Sequence, residues 1–252
     1  MSYQAPVKDL LFCMTELAGL KQVATLPGFE EAGVDTAQAV LEECARFNEG
    51  VIAPLNWDGD QNPSTWKDGA VTTTPGFKDA YRQYAEGGWQ GLQHPAEFGG
   101  LGLSNAAYAR VLAQTSSYDS SVSLTIGAHS SIGMKGLLLF GNAEQKARYL
   151  PRLATGGMIA AFCLTEAGAG SDVVGSMSCR AELKNGMWIA NGNKMWITNG
   201  PDADVLIVYM RTASRELGSK CMTAFMVEKG MKGFSTAQKL DKLGMRGSNT
   251  CE

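Results

Sequence analysis

The sequence predicts an α+β protein whose first part, residues 1–158, is helical and whose second part, residues 159–252, is built from antiparallel strands. Three observations predict it. Before residue 158 apolar side chains recur every three or four positions. After it the period falls towards two, and Asn-Gly pairs stand between apolar segments. Hydrophobic residues make up 44% of the 252 positions, enough core for two ordinary domains and too many for a disordered chain.

The elements follow in order. Val7, Leu10, Leu11, Met14 and Leu17 have helical spacing behind Pro6, which suits a first turn. Asp35 or Thr36 is expected to cap a helix running to about Phe47. Phe77, Tyr81 and Tyr84 mark a helix that Gly87-Gly88 ends. Ser104 is expected to cap another helix carrying Tyr108, Val111 and Leu112. Residues 122–140 are apolar and rich in small side chains, as in a buried helix. Asn142-x-x-Gln145 is a capping box ahead of Ala147, Tyr149 and Leu150. In the second part, Asn185-Gly186 separates strands at 181–183 and 187–190. Asn191-Gly192 leads into a strand at 194–198, and 205–209 and 222–227 read as further strands.

Charge and cysteine content exclude several classes. A net charge of −3 with scattered Lys and Arg gives no footprint for nucleic acid and no polybasic membrane patch. The six cysteines lack a CxxC spacing, and His94 and His129 stand apart, so no metal site is expected. Reduced structural thiols are the reading for these cysteines. No apolar run reaches the length of a membrane helix and no targeting segment is seen, so a cytoplasmic, bacterial-type protein is expected.

Two segments can carry chemistry. Gly168-Ala169-Gly170-Ser171-Asp172 follows an apolar run at 159–164, and its small residues let backbone N–H groups approach an anion, with the Ser171 hydroxyl as a further donor. A tight turn between strands uses the same residues, and both readings stay open. In Trp196-Ile197-Thr198, strand alternation puts Trp196 and Thr198 on one face, where an aromatic plate beside a hydroxyl suits a flat heterocycle. A core tryptophan with a surface threonine is the alternative. His129 beside Ser130 and Ser131 has no acid partner and no nucleophile turn, and His94 sits in a Gly/Pro loop.

Together the two segments resemble the acyl-CoA dehydrogenase family. Phe162-Cys163-Leu164-Thr165-Glu166-Ala167-Gly168-Ala169-Gly170-Ser171-Asp172 is similar to its first flavin signature, and Lys194-Met195-Trp196-Ile197-Thr198-Asn199-Gly200 to its second. Gly88-Trp89-Gln90-Gly91-Leu92, Glu97-Phe98-Gly99-Gly100-Leu101-Gly102 and Phe140-Gly141-Asn142-Ala143-Glu144-Gln145-Lys146 resemble further stretches of the family, in order along the chain. The resemblance implies a helical N-terminal domain, a β-barrel-like middle domain and a C-terminal four-helix bundle. It implies FAD, held between the middle and C-terminal domains and completed by a neighbouring subunit of a homodimer or homotetramer. It also implies an acyl-CoA substrate and an electron-transfer flavoprotein as partner. By the same resemblance Phe162, Leu164, Thr165, Gly170, Ser171, Trp196, Ile197 and Thr198 bind the cofactor, with Trp196 over the ring and the Thr198 hydroxyl near its reactive nitrogen. Ser171, Ser219 and Lys220 match positions that touch the acyl-CoA.

The resemblance puts the glutamate base beyond Glu252, so the 252 residues are expected to lack dehydrogenase turnover and to bind flavin less tightly than a complete enzyme. An oxygen-reducing acyl-CoA oxidase of the same fold and a non-catalytic binding fragment are the alternatives. Branches within the family mix. The first twenty residues resemble 3-methylthiopropanoyl-CoA dehydrogenases, and 162–172 medium- and very-long-chain enzymes. Residues 199–205 and 239–249 resemble isovaleryl-CoA dehydrogenase.

Overall fold

The computed structural model describes residues 4–103, 132–237 and 239–252, together with Ala109, Val111, Ala113, Thr115, Ser116, Ser123 and Gly127. Ser104, Tyr108 and Leu112 of the expected helix, much of the first half of the apolar stretch 122–140, and His129 with Ser130 and Ser131 lie outside these residues.

The first part is helical. Helix α1 spans Val7–Phe12 and α2 Leu20–Val23, and both rest on α3, Val34–Phe47. The cap of α3 is Gly33, whose backbone is extended, rather than Asp35 or Thr36; Asp35 instead places its charge in the first turn, where the helix dipole favours it. Helix α4 spans Leu55–Gln61 and α5 Phe77–Glu86. Ile52, Ala80, Tyr84, Trp89 and Leu92 form the core between these helices. A short hairpin, β1 (Thr65–Lys67) and β2 (Ala70–Thr72), was not expected. Its Asp68-Gly69 turn has positive φ at both residues, the geometry that Asp-Gly favours between strands. Helix α6, Met134–Phe140, precedes α7, Ala143–Ala154. The capping box forms as expected, with Gln145 N–H donating to Asn142 Oδ1 at 2.8 Å and Asn142 N–H to Gln145 Oε1 at 3.0 Å.

The second part is a sheet. Strand β3 spans Ala160–Cys163, β4 Arg180–Lys184, β5 Met187–Asn191, β6 Ile197–Thr198, β7 Val205–Arg211, β8 Met222–Glu228 and β9 Thr250–Cys251; a single helical turn, α8 (Val173–Ser176), follows β3. The central strand is β7, buried along most of its length, with β8 antiparallel on one side. On its other side lie β3 and, past the end of β3, β4; both pair with it in parallel. The sheet is therefore mixed rather than wholly antiparallel. About forty residues separate β3 from β7, long enough for the crossover that parallel pairing needs. The β4–β5 hairpin meets β7 only at Arg180–Arg211 and folds over the sheet, so that Trp188 sets its ring edge against Phe225, centroids 5.3 Å apart. Among the described residues the sheet does not close into a barrel; β6 and β9 form a separate pair.

Helices α6 and α7 pack on this sheet through Met134, Leu137, Leu150 and Leu153 against Ala160 and Val205. Ala161, Cys163, Met177, Ala181, Leu206 and Val208 fill a second core under β6. No helix among the described residues is long and apolar enough to cross a membrane, and no cluster of His, Cys, Asp and Glu among them suits a metal ion.

Candidate functional site

The chain leaves β3 at Cys163 and turns sharply. Glu166 N–H donates to Ala169 O and Ala169 N–H to Glu166 O, each at 3.1 Å, closing a tight loop. Asp172 then caps α8, its carboxylate accepting from Gly175 N–H at 3.0 Å and from Ser176 Oγ at 2.9 Å. The turn reading of 168–172 is thus correct as far as Glu166, Ala169 and Asp172 are concerned. It does not account for Gly168, Gly170 and Ser171. Their backbone N–H groups have no backbone acceptor among the described residues, and all three are exposed. A Cβ on Gly168 or Gly170 would meet nothing within 4 Å, so packing within this chain does not require glycine there. The lack of side chains leaves this loop open to close approach by another group.

The second segment lies against the first. Met195 N–H donates to Thr165 O at 2.9 Å. Lys194 Nζ donates to Leu164 O at 3.0 Å and to Glu166 Oε1 at 2.8 Å, and the two charged side chains are only 8% and 4% exposed. The Glu166 carboxylate also accepts from Ser178 N–H at 2.7 Å, Ser178 Oγ at 2.6 Å and Cys179 N–H at 3.1 Å. Burial pushes the Glu166 carboxyl up, but the bonds from Lys194, Ser178 and Cys179 outweigh it and hold the group at about 2. This pair was not recognised from the sequence; an acid in one motif and a lysine in the other was the available signal. Beside it opens a cleft of about 450 Å³, walled by Glu166, Gly168, Ser178, Asn193, Lys194 and Met195.

Trp196 follows with φ +63° and 56% of its surface exposed. A bulky residue in the left-handed region is uncommon and costs energy unless its surroundings impose it. Trp196 precedes β6, so the alternation expected to align it with Thr198 does not apply; the strand expected over 194–198 shrinks to Ile197–Thr198. The left-handed backbone of Trp196 interrupts an extended run there, and Asn191-Gly192, with Gly192 at φ +139°, passes close to Cys179 instead of making a hairpin. Ile197 is buried, Thr198 half-buried, and Thr198 pairs with Thr250 of β9. Phe162, Leu164 and Thr165 are half-buried, with the Phe162 ring 5.1 Å from that of Tyr209. Ser219 and Lys220 are exposed on the turn Arg215–Cys221. That turn packs on α8, just past Ser171, and Arg215 Nη2 donates to Met177 O at 3.0 Å. His94 is buried away from these groups, and burial lowers its basicity.

Comparison with known proteins matches residues 34–157 to the acyl-CoA dehydrogenase N-terminal domain and residues 161–252 to the acyl-CoA dehydrogenase middle domain. Mitochondrial isovaleryl-CoA dehydrogenase of Arabidopsis thaliana is 44% identical over 218 residues, 86% of this chain and 51% of the relative. Mitochondrial very long-chain specific acyl-CoA dehydrogenase of Rattus norvegicus is 43% identical over 180 residues, 69% of this chain and 28% of the relative. Three solved structures share the fold. Butyryl-CoA dehydrogenase from Megasphaera elsdenii has a TM-score of 0.74 at 29% identity, over 85% of this chain and 54% of that one. Acyl-CoA dehydrogenase from Bacillus anthracis, in complex with FAD, has 0.72 at 32%, over 85% and 34%. A structure of the electron transferring flavoprotein of Acidaminococcus fermentans has 0.76 at 32%, over 85% and 53%. The chain spans about half the length of the Arabidopsis relative. Both curated relatives are mitochondrial enzymes, which overturns the expectation of a bacterial-type cytoplasmic protein; composition does not carry compartment. With both family domains matched in order across most of its length, the chain belongs to the acyl-CoA dehydrogenase family.

Proposed function

We propose that this chain supplies the flavin-holding part of an FAD-dependent dehydrogenase that converts an acyl-CoA to its trans-2-enoyl-CoA and passes electrons to an electron-transfer flavoprotein. The carrying observation is the junction of the two signature segments, where Met195 N–H meets Thr165 O and an exposed Trp196 stands two residues from Thr198.

The residues present fit a flavin dinucleotide. The unpaired N–H groups of Gly168, Gly170 and Ser171 suit a pyrophosphate, and the small side chains leave room for it. Trp196 offers a flat apolar face, and Thr198 a hydroxyl. Phe162, Leu164, Thr165 and Ile197 complete the proposed cofactor contacts. Ser171, Ser219 and Lys220 are proposed to meet the acyl-CoA, since the Arg215–Cys221 turn packs beside the segment that follows Ser171. When bound, FAD supplies the two-electron acceptor that side chains cannot. The chain's own part is to fix the ring's orientation and to keep water from its covered face.

Glu166 is not the proton-removing base. Its carboxylate already accepts from Lys194, Ser178 and Cys179 and binds a proton only near pH 2. We propose that the base comes from outside these 252 residues and that a complete enzyme is a homodimer or homotetramer. We also propose a domain division near residue 158, supported by the change from α7 to β3. Titration of the purified chain with FAD, followed by quenching of flavin fluorescence, tests the reading. Uptake of FAD by the chain, weakened by Trp196→Ala, is expected. A chain that neither binds nor quenches FAD overturns it.

A further inference from the structure

We propose that the buried Glu166–Lys194 pair is a positioning device that sets the distance and orientation between the two segments of the flavin site. The inference rests on the flavin reading above.

Cys163 and Ile197 share one core, and the pair adds most of the hydrogen bonds that join the two segments. Glu166 belongs to the loop after β3, and Lys194 opens the approach to β6. Among the described residues, the hydrogen bonds between these segments are Met195 N–H to Thr165 O and those of Lys194 Nζ to Leu164 O and Glu166 Oε1. The carboxylate is in turn held by Ser178 and Cys179 at the start of β4. Three pieces of chain are thereby triangulated about one carboxylate. The groups hung on them are Thr165 on one side of Glu166, Gly168 to Ser171 on the other, and Trp196 two residues beyond Lys194.

Chemistry separates this role from two plainer ones. A lysine meant for a phosphate would keep its ammonium free to meet it. Lys194 is 8% exposed, and it spends two of its three N–H donors on Leu164 and Glu166. A pair meant only for stability has no advantage over apolar side chains of the same volume, because burying two charges offsets most of their attraction. Charged hydrogen bonds differ from apolar contacts in being directional. What the pair adds is a fixed angle and separation, and these matter where a left-handed tryptophan must be presented in one orientation.

The test uses the 252-residue chain with Lys194→Met, Glu166→Gln and the double variant. Amide hydrogen exchange is read without cofactor in residues 165–172, in 193–199 and in α3 as a distant reference. FAD titration follows. Either single variant is expected to speed exchange in both segments by roughly tenfold to a hundredfold. Exchange in α3 should speed up by clearly less than in the two segments, and the dissociation constant for FAD should rise by roughly tenfold to a hundredfold. The double variant is expected to be no worse than one single variant, because the two side chains act as one unit. Unchanged exchange in both segments, equal acceleration in α3, or effects of the two single variants that multiply in the double variant would each overturn the proposal. If Lys194→Met fails to fold, the near-isosteric Glu166→Gln carries the same comparison. A wild-type chain that takes up no FAD overturns the flavin reading and not the clamp, whose exchange signature is read without flavin.

Discussion

Replacing Glu166 by glutamine removes a negative charge from a site that was shaped to hold one, and the loss should be visible as a change in how stability depends on pH. The carboxyl ordinarily titrates near 4.5 and in the folded chain is held at about 2. A depression of that size corresponds to about 3 kcal/mol of folding stability at neutral pH. The sign follows from which state holds the proton. Above the unfolded value both states are ionised and the full contribution is present. Between 4.5 and 2 the unfolded chain takes up a proton that the folded chain refuses, so the contribution shrinks, and it is gone once pH has fallen through the folded value. Glutamine keeps the shape and an acceptor but leaves the Lys194 ammonium buried without its counter-charge, which adds to the cost at neutral pH. Urea unfolding at pH 7 and again near pH 3 measures the effect, with wild type and variant compared at each pH so that other titrating groups cancel. Glu166→Gln should lose about 3 kcal/mol at pH 7 and markedly less near pH 3. An equal loss at both pH values would refute the electrostatic argument and leave only a packing defect.

Two further outcomes test the fold around the site. Gly186→Ala should cost about 1 kcal/mol in urea or thermal unfolding, because Gly186 sits at φ +77° in the β4–β5 turn; a Cβ there meets nothing within 4 Å, so the cost is purely that of the backbone conformation and a neutral result would contradict it. In alkylation at pH 8 followed by mass spectrometry, half-buried Cys13 should label well ahead of Cys44, Cys163 and Cys251. Burial pushes each of these three thiols up to about 12. Labelling of Cys163 or Cys251 in the folded chain as fast as Cys13 would show that β3 and β9 are not packed as described.

Local rules were enough wherever one short segment decides its own conformation. The Asn142 capping box, the helix ended by Gly87-Gly88 and the Asn185-Gly186 hairpin are all present, because each rests on hydrogen bonds or dihedral preferences within a few residues. The same rules also held the Asp68-Gly69 hairpin, whose signal went unread. They failed at Asn191-Gly192. There the same dipeptide makes no hairpin, since Gly192 is pressed so near Cys179 that a Cβ would fall 2.3 Å from its sulfur. That is a contact across thirteen residues, and no local preference anticipates it.

The sequence by itself determined the class, the family and the two motifs that bear on a flavin, because residue types and their spacing are local and additive. Only the tertiary structure decided how those motifs meet. It made the sheet mixed and open, since parallel pairing of β3 with β7 depends on the path of the intervening chain. It took Trp196 out of the strand and turned it to solvent with a left-handed backbone. It also converted Glu166 and Lys194, one in each motif, into a buried ion pair that ties the motifs together. Ion pairs of this kind depend on burial and distance, which exist only once the chain has folded.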